Sequence, residues 1–150
     1  MRTGSDLAAW LAARTAEELR EPFTFVIGVD GRLRLAPRRS EHVACAGGEP
    51  VLSAGEMTFV RRAGEWVVAE VSNQSTGYCP DVATWPAMAD ALDQLGLRHP
   101  DGLTQEAVFR RCPRCQERNI VREAQFVCVF CDADLPAEWN LHQAADPEPP

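Results

Sequence analysis

Four cysteines in the last third of the chain limit its possible folds more than any other feature of the sequence. They are Cys112, Cys115, Cys128 and Cys131, with two residues inside each pair and twelve between the pairs. Two residues between cysteines allow a tight turn to aim both sulfur atoms at one point, and four thiolates satisfy the tetrahedral preference of zinc. Two such pairs are typical of a metal site in a reduced compartment rather than of disulfides. The sequence therefore predicts one zinc ion bound to all four cysteines.

The spacing also predicts the local fold and the role of this metal. Between the pairs, the runs "NIVRE" and "QFVCVF" are expected to form a hairpin that brings the second pair beside the first. Four protein ligands leave no open position for water, so a catalytic role is not expected. A segment this short has little core of its own, and the metal would act as a structural cross-link.

The cysteine segment resembles the zinc ribbon, a small module with two cysteine turns, called zinc knuckles, at the tips of β-hairpins. The turns are also similar to those of rubredoxin, whose cysteines hold iron. The resemblance covers residues 109–135 and implies metal binding rather than one particular function. In the family a glycine often follows the second cysteine of each turn, because that position tends to be left-handed. Gln116 and Asp132 stand there in this chain, and Asp tolerates the conformation better, so the first turn is expected to be the less regular.

Arginines are concentrated around the cysteines. The five are Arg110, Arg111, Arg114, Arg118 and Arg122. Glu117 and Glu123 lie among them, which leaves a local excess of three positive charges. Zinc ribbons often bind nucleic acid, and a basic face would serve that purpose. The arginines could instead compensate the charge of −2 that zinc and four thiolates carry together.

Composition excludes several functional classes. The net charge of −7 disfavours nucleic acid as a partner. No apolar run approaches the roughly 18 residues that cross a bilayer, and the first residues have no apolar signal core, so a cytoplasmic protein is expected. All fifteen basic residues are arginine, which excludes chemistry that needs a lysine and suggests a GC-rich bacterial source.

Residues 1–105 have the pattern of an α+β domain. One helix is expected over residues 5–20, and "FTFVIGV" and "RLRLA" are joined by Asp30-Gly31, a strong hairpin signal. Further short runs, including "EHVACA", predict a meander of five or six antiparallel strands. A second helix is expected to begin at Thr84 and end before Gly96. The predicted fold is a curved antiparallel sheet with two flanking helices, followed by a C-terminal zinc-ribbon hairpin (residues 106–140) packed on it and a disordered tail (residues 141–150).

Two cysteines, Cys45 and Cys79, and three histidines, His42, His99 and His142, lie outside this quartet. His42 and Cys45 have ligand-like spacing, and with Cys79 they could form a second metal site. Cys79 with His42 or His99 could alternatively form a catalytic pair. A cysteine on a strand is more often a small buried apolar residue, and Pro80 after Cys79 suggests a turn.

A polar run follows the last strand of the sheet. Its members are Ser72, Asn73, Gln74, Ser75 and Thr76. Strand alternation fails here, because no face of the run stays apolar. These side chains could bind a nucleotide-like small molecule together with the segment 42–48, or they could satisfy the backbone of their own loop.

The sequence favours a binding protein over an enzyme, because no residue pattern assigns a reaction. The leading interpretation is a protein-binding or adaptor module with a structural zinc, whose partner is another protein. The first alternative is an enzyme or binding protein for a nucleotide-like molecule at the 72–76 loop. The second is a zinc ribbon that binds nucleic acid.

Overall fold

A computed structural model describes residues 1–75 and 77–141 and has a mixed α/β fold. The strands, in chain order, are β1 (Phe23–Gly28), β2 (Leu33–Ala36), β3 (Val51–Arg62), β4 (Glu65–Ser72), β5 (Val108–Arg111) and β6 (Arg118–Val121). The helices are α1 (Gly4–Ala12), α2 (Ala16–Leu19), α3 (His42–Cys45) and α4 (Trp85–Gln94), with a 3₁₀ turn at Val82–Thr84. Four strands form an open antiparallel sheet in the order β2-β1-β3-β4, and β5 pairs with β6 in a separate hairpin. The antiparallel sheet is thus confirmed, with four strands in place of five or six.

Strand β1 lies inside the sheet and is buried on both faces, as its continuous apolar run indicates. Phe25 and Ile27 point into the main core, where α1 and α4 cover the sheet. Val26 points to the opposite face and packs with Ala46 and Tyr78. Both faces of the sheet are therefore covered near its centre.

The helix predicted over residues 5–20 is two helices, because a second helix start lies within it. The hydroxyl of Thr15 accepts a hydrogen bond from the N–H of Glu18, whose carboxylate accepts one from the N–H of Thr15. This reciprocal capping box begins α2 and ends the continuity with α1. An equivalent box between Thr3 and Asp6 begins α1.

The segment "EHVACA", predicted as a strand, forms the short helix α3 instead. Cys45 N donates to Glu41 O, and Ala46 N donates to His42 O, which is α-helical bonding. Gly47 and Gly48 follow with φ of 66° and 76° and turn the chain out of the helix. Cys45 is therefore on a helix and not on a strand.

Helix α4 begins after Thr84, as predicted, but the Thr84 side chain makes no capping bond to it. Its hydroxyl donates to Asp81 O at 2.7 Å and lies 2.8 Å from Ser53 Oγ. Asp81 caps the preceding 3₁₀ turn through the N–H of Ala83. The helix stops before Gly96, whose φ is 70°.

The chain between α4 and β5 runs along the outer edge of β4. Arg98 forms a parallel bridge with Val67, and Gln105 forms one with Ser72. Thr104 N donates to Val71 O at 2.9 Å. This segment covers the edge of the sheet and delivers the chain to β5 beside the end of β4.

Of the predicted tail 141–150, only Leu141 lies within the described residues, and it is buried against Cys79 and Phe109. The domain boundaries at 105/106 and 140/141 stay predictions. None of the helices in the described part of the chain has the length and apolar character needed to span a membrane.

Candidate metal centre and its surroundings

The four cysteines of the quartet come together as their spacing predicts. Their Sγ atoms all lie within 4.8 Å of one another. The distances from Cys112 to Cys131 and from Cys115 to Cys128 are each 3.6 Å. A disulfide would need about 2.05 Å, whereas sulfur atoms at the corners of a tetrahedron around zinc lie about 3.8 Å apart. The arrangement could hold one metal ion.

The two cysteine turns have the same hydrogen bonds. In the first turn Gln116 N donates to Cys112 O at 2.9 Å, and in the second Asp132 N donates to Cys128 O at 3.0 Å. Each first cysteine also donates its N–H to the residue after the turn, Glu117 O or Ala133 O. The two turns therefore present their sulfur atoms in equivalent ways.

The expectation of a less regular first turn is wrong. Gln116 has φ 67° and Asp132 has φ 64°, so both adopt the left-handed conformation that the position requires. Two contacts hold Gln116 there: its Nε2 donates to Pro113 O at 3.0 Å, and Arg111 donates to its carbonyl at 2.7 Å. These bonds offset the cost of about 1 kcal/mol or more that a non-glycine residue meets in this conformation.

The strand pairing around the cysteines differs from the predicted hairpin. β6, which contains most of "NIVRE", pairs with β5, from Val108↔Val121 to Arg111↔Arg118, and not with "QFVCVF". Of the predicted hairpin, a bridge between Arg122 and Gln125 remains at its turn. The second cysteine pair closes a short hairpin of its own, in which Leu135 N donates to Phe126 O. Each cysteine turn is itself a hairpin turn, which is why each pair joins its own two flanking segments.

Asn119 links the two hairpins, and the sequence analysis missed it. Its side chain is 3% exposed, and its Nδ2 donates to Cys128 Sγ at 3.5 Å. Its Oδ1 accepts from the N–H of Val129 at 3.0 Å. Strand alternation could have found it, because Asn119 and Val121 are the inward positions of β6.

Hydrogen bonds to sulfur favour the thiolate form in the first cysteine of each turn, whereas burial and the neighbouring sulfur atoms raise the pKa of the second, to about 12 at Cys115. The N–H of Cys115 donates to Cys112 Sγ and lowers the pKa of the Cys112 thiol. Burial alone would raise the pKa of Cys128, but the N–H of Phe130 and the amide of Asn119 lower it to about 6. A lowered pKa keeps a sulfur ligand deprotonated near neutral pH.

Three of the five arginines around the cysteines donate hydrogen bonds to other groups of the protein, and Arg110 is the buried one of the three. Arg110 is 9% exposed and donates to Pro136 O and Ala137 O. Arg111 donates to the first cysteine turn, and Arg118 donates to Cys79 Sγ at 3.4 Å. The basic face anticipated from the sequence is correspondingly reduced.

The structure places Asn73 inside the protein. Its Nδ2 donates to Pro80 O at 3.0 Å and to Ala107 O at 2.8 Å, and its Oδ1 accepts from Ala107 N at 2.7 Å. It therefore holds the two segments that leave β4 and enter β5. Ser72 Oγ accepts from Gln74 N at 3.3 Å, which is also a contact within the loop.

Other members of the polar run are more accessible. Ser72 and Gln74 line a small cleft of about 190 Å³ together with Glu56 and Glu70. Ser75 lines a different cleft, beside Cys79. Thr76 lies outside the described residues.

His42 is buried, and its Nε2 lies 2.7 Å from Gly55 O. A carbonyl oxygen can only accept, so Nε2 carries the proton, and burial lowers the pKa of the ring. Val43 abuts Gly77, and Gly55, whose carbonyl bonds to His42, abuts the backbone of Ser72.

The remaining two cysteines pack in different apolar clusters. Cys79 is buried, and Trp139 Nε1 donates to its carbonyl at 2.9 Å. Cys45 Sγ lies 3.8 Å from Arg34 O, and burial raises the pKa of its thiol. His99 lies beside α4, where its Nε2 is 2.7 Å from Asp93. Within residues 1–75 and 77–141, the cysteine quartet is the only group of three or more potential ligands close enough to hold a metal.

The strongest exposure of large apolar residues near the quartet occurs at Val129 and Phe130, which are 75% and 64% exposed. With Val127 and Ile120 they line a groove of about 420 Å³, called here the apolar groove. The groove is lined by residues of β6 and of the second cysteine turn. No pattern in the sequence analysis singled it out.

Comparison of the chain with protein-family models, with curated proteins and with solved structures gave no match.

Proposed function

We propose that this chain is a protein-binding module of the adaptor or regulatory type, with the apolar groove as its docking surface and one structural zinc ion. The zinc ligands are Cys112, Cys115, Cys128 and Cys131. Residues 106–140 act as a zinc ribbon packed on an α+β domain of residues 1–105. Because the ligands must stay reduced, the module works in the cytoplasm.

The exposure of Val129 and Phe130 is the observation that carries this proposal. They are the two residues between the cysteines of the second turn, where the metal geometry demands no apolar side chain. In the first turn the same two positions hold Pro113 and Arg114. Adjacent apolar side chains left in water are typical of protein interaction sites.

The proposed zinc and the docking surface depend on each other through the backbone. Phe130 N donates to Cys128 Sγ, and Val129 N donates to the side chain of Asn119. Both exposed residues are thus held by groups that contact the metal ligands. Loss of the metal would release the turn and disorder the groove.

Metal analysis of the purified chain tests the first half of the proposal. We expect one zinc per chain, and a Cys128→Ser variant should lose it. A content well below one zinc per chain with all four thiols intact, or one iron in its place, would refute the assignment.

Capture of a partner from the cell extract of the source organism tests the second half. A Phe130→Ser variant should lose the captured protein, whereas Val29→Ser should retain it. Val29 is a matched control, because it is also 64% exposed but lies on the β1–β2 turn. Equal capture by both variants would refute the apolar groove as the docking surface.

Nucleic acid is less well supported as the partner. Three of the five nearby arginines already bind groups of the protein. Arg114 and Arg122 are exposed. A shift of labelled RNA at low salt that is lost in an Arg114→Ala, Arg122→Ala variant would favour this alternative over a protein partner.

A further inference from the structure

The outer edge of β6 has unpaired backbone groups. Cys112 N donates to Glu117 O, which makes these two residues a hydrogen-bonded pair of the β5–β6 hairpin. Such pairs alternate along an antiparallel ladder with pairs whose N–H and C=O groups point outward. The register Arg111↔Arg118 and Phe109↔Ile120 therefore directs the backbone groups of Arg118 and Ile120 away from β5.

The opposite edge of the same hairpin supports this assignment and differs in one respect. The alternation also directs the backbone of Arg111 outward, and there Asn140 covers it. Asn140 Oδ1 accepts from Arg111 N at 2.9 Å, and its Nδ2 donates to Arg111 O at 2.7 Å. Within the described residues, the outward groups of Arg118 and Ile120 have no such partner. One edge is closed by a side chain, and the other is open.

The open edge is also the wall of the apolar groove. Arg118, Ile120 and Arg122 line the groove on one side, and Val127 and Phe130 line it on the other. All five are exposed to solvent. A strand laid along β6 would therefore meet hydrogen-bonding groups at its edge and apolar side chains beneath it.

The charges along this edge select the strand that fits. Arg118 lies two residues before Ile120 on β6, and Arg122 lies two residues after it, just beyond the strand, so the exposed side chains follow the order basic, apolar, basic. Opposite charges directly across a sheet stabilise the pairing by about 0.2–1 kcal/mol, and like charges oppose it. The complementary strand has acidic, apolar and acidic residues at positions i, i+2 and i+4.

The same charges disfavour a second copy of this chain. In an antiparallel pair of two β6 strands centred on Ile120, Arg118 of each copy would face Arg122 of the other. That arrangement sets two pairs of like charges across the interface. Charged residues on an exposed edge commonly prevent such self-pairing.

We infer that β6 accepts an extended segment of a partner protein as a third strand, with an apolar residue opposite Ile120 and acidic residues opposite Arg118 and Arg122. This inference rests on the proposed function and specifies the partner for the same groove. The partner's main chain bonds to Arg118 and Ile120, and its apolar residue contacts Ile120. Residues i+1 and i+3 of the partner point to the same face as Asn119 and Val121, where the second cysteine turn lies, and contact Val127 and Phe130. Backbone pairing supplies affinity, and the alternate side chains supply specificity.

Selection from a random decapeptide library, displayed on phage and applied to the zinc-loaded full chain, tests the inference. We expect enrichment of peptides with Asp or Glu at i and i+4 and an apolar residue at i+2. In a synthetic peptide of this pattern, N-methylation of the amides that face β6 should weaken binding about tenfold or more, since each methyl group removes a hydrogen bond and blocks approach. N-methylation of the alternate amides should leave binding unchanged.

A charge exchange tests the side-chain pairing. Arg122→Glu should weaken the acidic peptide about two- to fivefold, and an arginine at the matching peptide position should restore binding. Arg39→Glu is the matched control, because Arg39 is exposed, lies before α3, and changes the net charge equally. An equal loss in both variants would overturn the pairing, since it would reflect overall charge alone.

Several outcomes would overturn the inference while leaving the proposed function intact. One is enrichment of peptides with helical spacing, and another is binding that does not change on N-methylation. A third is a dimer in sedimentation that Ile120→Ser dissociates. In each case the proposed function stands if Phe130→Ser still loses the partner from extract. RNA that binds through Arg122 where no peptide does would overturn both. Capture that does not depend on Phe130 refutes the proposed function itself.

Discussion

Replacing Asn119 by alanine should weaken zinc binding about 10- to 100-fold without unfolding the four-stranded sheet. The substitution removes the bond from Asn119 Nδ2 to Cys128 Sγ and the acceptor of Val129 N–H. The bond to sulfur favours the thiolate of Cys128, which is the form that binds a metal. A hydrogen bond to a charged group contributes about 1.5–3 kcal/mol, which corresponds to roughly one to two powers of ten in affinity. Groups that position metal ligands in other proteins have effects of the same size.

Competition for zinc between the full chain and a chromophoric chelator measures this affinity. Asn140→Ala is the control, because Asn140 also makes two hydrogen bonds to the backbone of the same segment but none to sulfur. It should change the zinc affinity less than about threefold. Wild-type affinity in Asn119→Ala, or an equal loss in Asn140→Ala, would refute the role given to Asn119.

Three further predictions concern stability. Gln116→Gly should raise the free energy of unfolding of the zinc-bound chain by up to about 1 kcal/mol in thermal denaturation, since glycine removes the cost of φ 67°. A lower free energy of unfolding would mean that the side-chain bond to Pro113 contributes more than this cost. Burial lowers the pKa of His42, so the unfolded chain binds more protons and stability should fall as the pH drops below about 6.5. At His99 burial lowers the pKa, but its acceptors raise it further, so His99 contributes the opposite dependence of stability on pH. Stability should therefore be measured against pH in a His99→Gln variant. Constant stability from pH 5 to 7 in that variant would contradict the prediction for His42. Asn73→Ala should lower the free energy of unfolding by about 2–4 kcal/mol in urea denaturation, and Gln74→Ala should lower it by less than about 0.5 kcal/mol. Equal effects of the two substitutions would disprove the structural role of Asn73.

The sequence was sufficient to bring the four cysteines together but not to pair the strands around them. Ligand spacing determines where the sulfur atoms can meet, because each close pair must belong to one turn. It does not determine which flanking segments pair, since "NIVRE" can join a strand before it or after it with the same alternation. In the structure "NIVRE" pairs with β5, and Phe109 of β5 is buried against Cys79 and Leu141. That contact joins residues distant in sequence, and no local pattern predicts it.

Local propensity failed in a similar way at "EHVACA". Its apolar and polar residues alternate as they would in a strand. However, the sheet is complete with four strands, and the apolar side chain of Val26 on its second face has to be buried by another element. The short helix α3, which ends before Gly47 and Gly48, covers it together with Ala46, and Tyr78 completes the cluster. The need for a cover arises from tertiary packing, which overrides strand propensity over four residues.

The polar run after β4 could either bind a ligand or satisfy the backbone of its own loop, and the structure gives different answers for different residues. Asn73 is the buried member, and its three bonds to Pro80 and Ala107 account for an amide at that position. Gln74 reaches a cleft of about 190 Å³, which is below the usual range of about 300–1,000 Å³ for small-molecule sites. The polar residues of the loop mainly join β4 to β5. The apolar groove is therefore the stronger candidate for a binding site.

A chain of this length can form a core without a metal, and the distribution of apolar residues indicates where the proposed metal would be needed. The main core lies between the four-stranded sheet and helices α1 and α4, and the cysteines are not part of it. Within the described residues, Leu135 is the one buried apolar residue other than cysteine around the quartet, with Val121 and Phe126 partly buried beside it. Burial on this scale is too small to order a segment that also holds Val129 and Phe130 in water. A metal fixes such a turn through its ligands and leaves the apolar side chains free to contact a partner, which a turn ordered by its own core could not do.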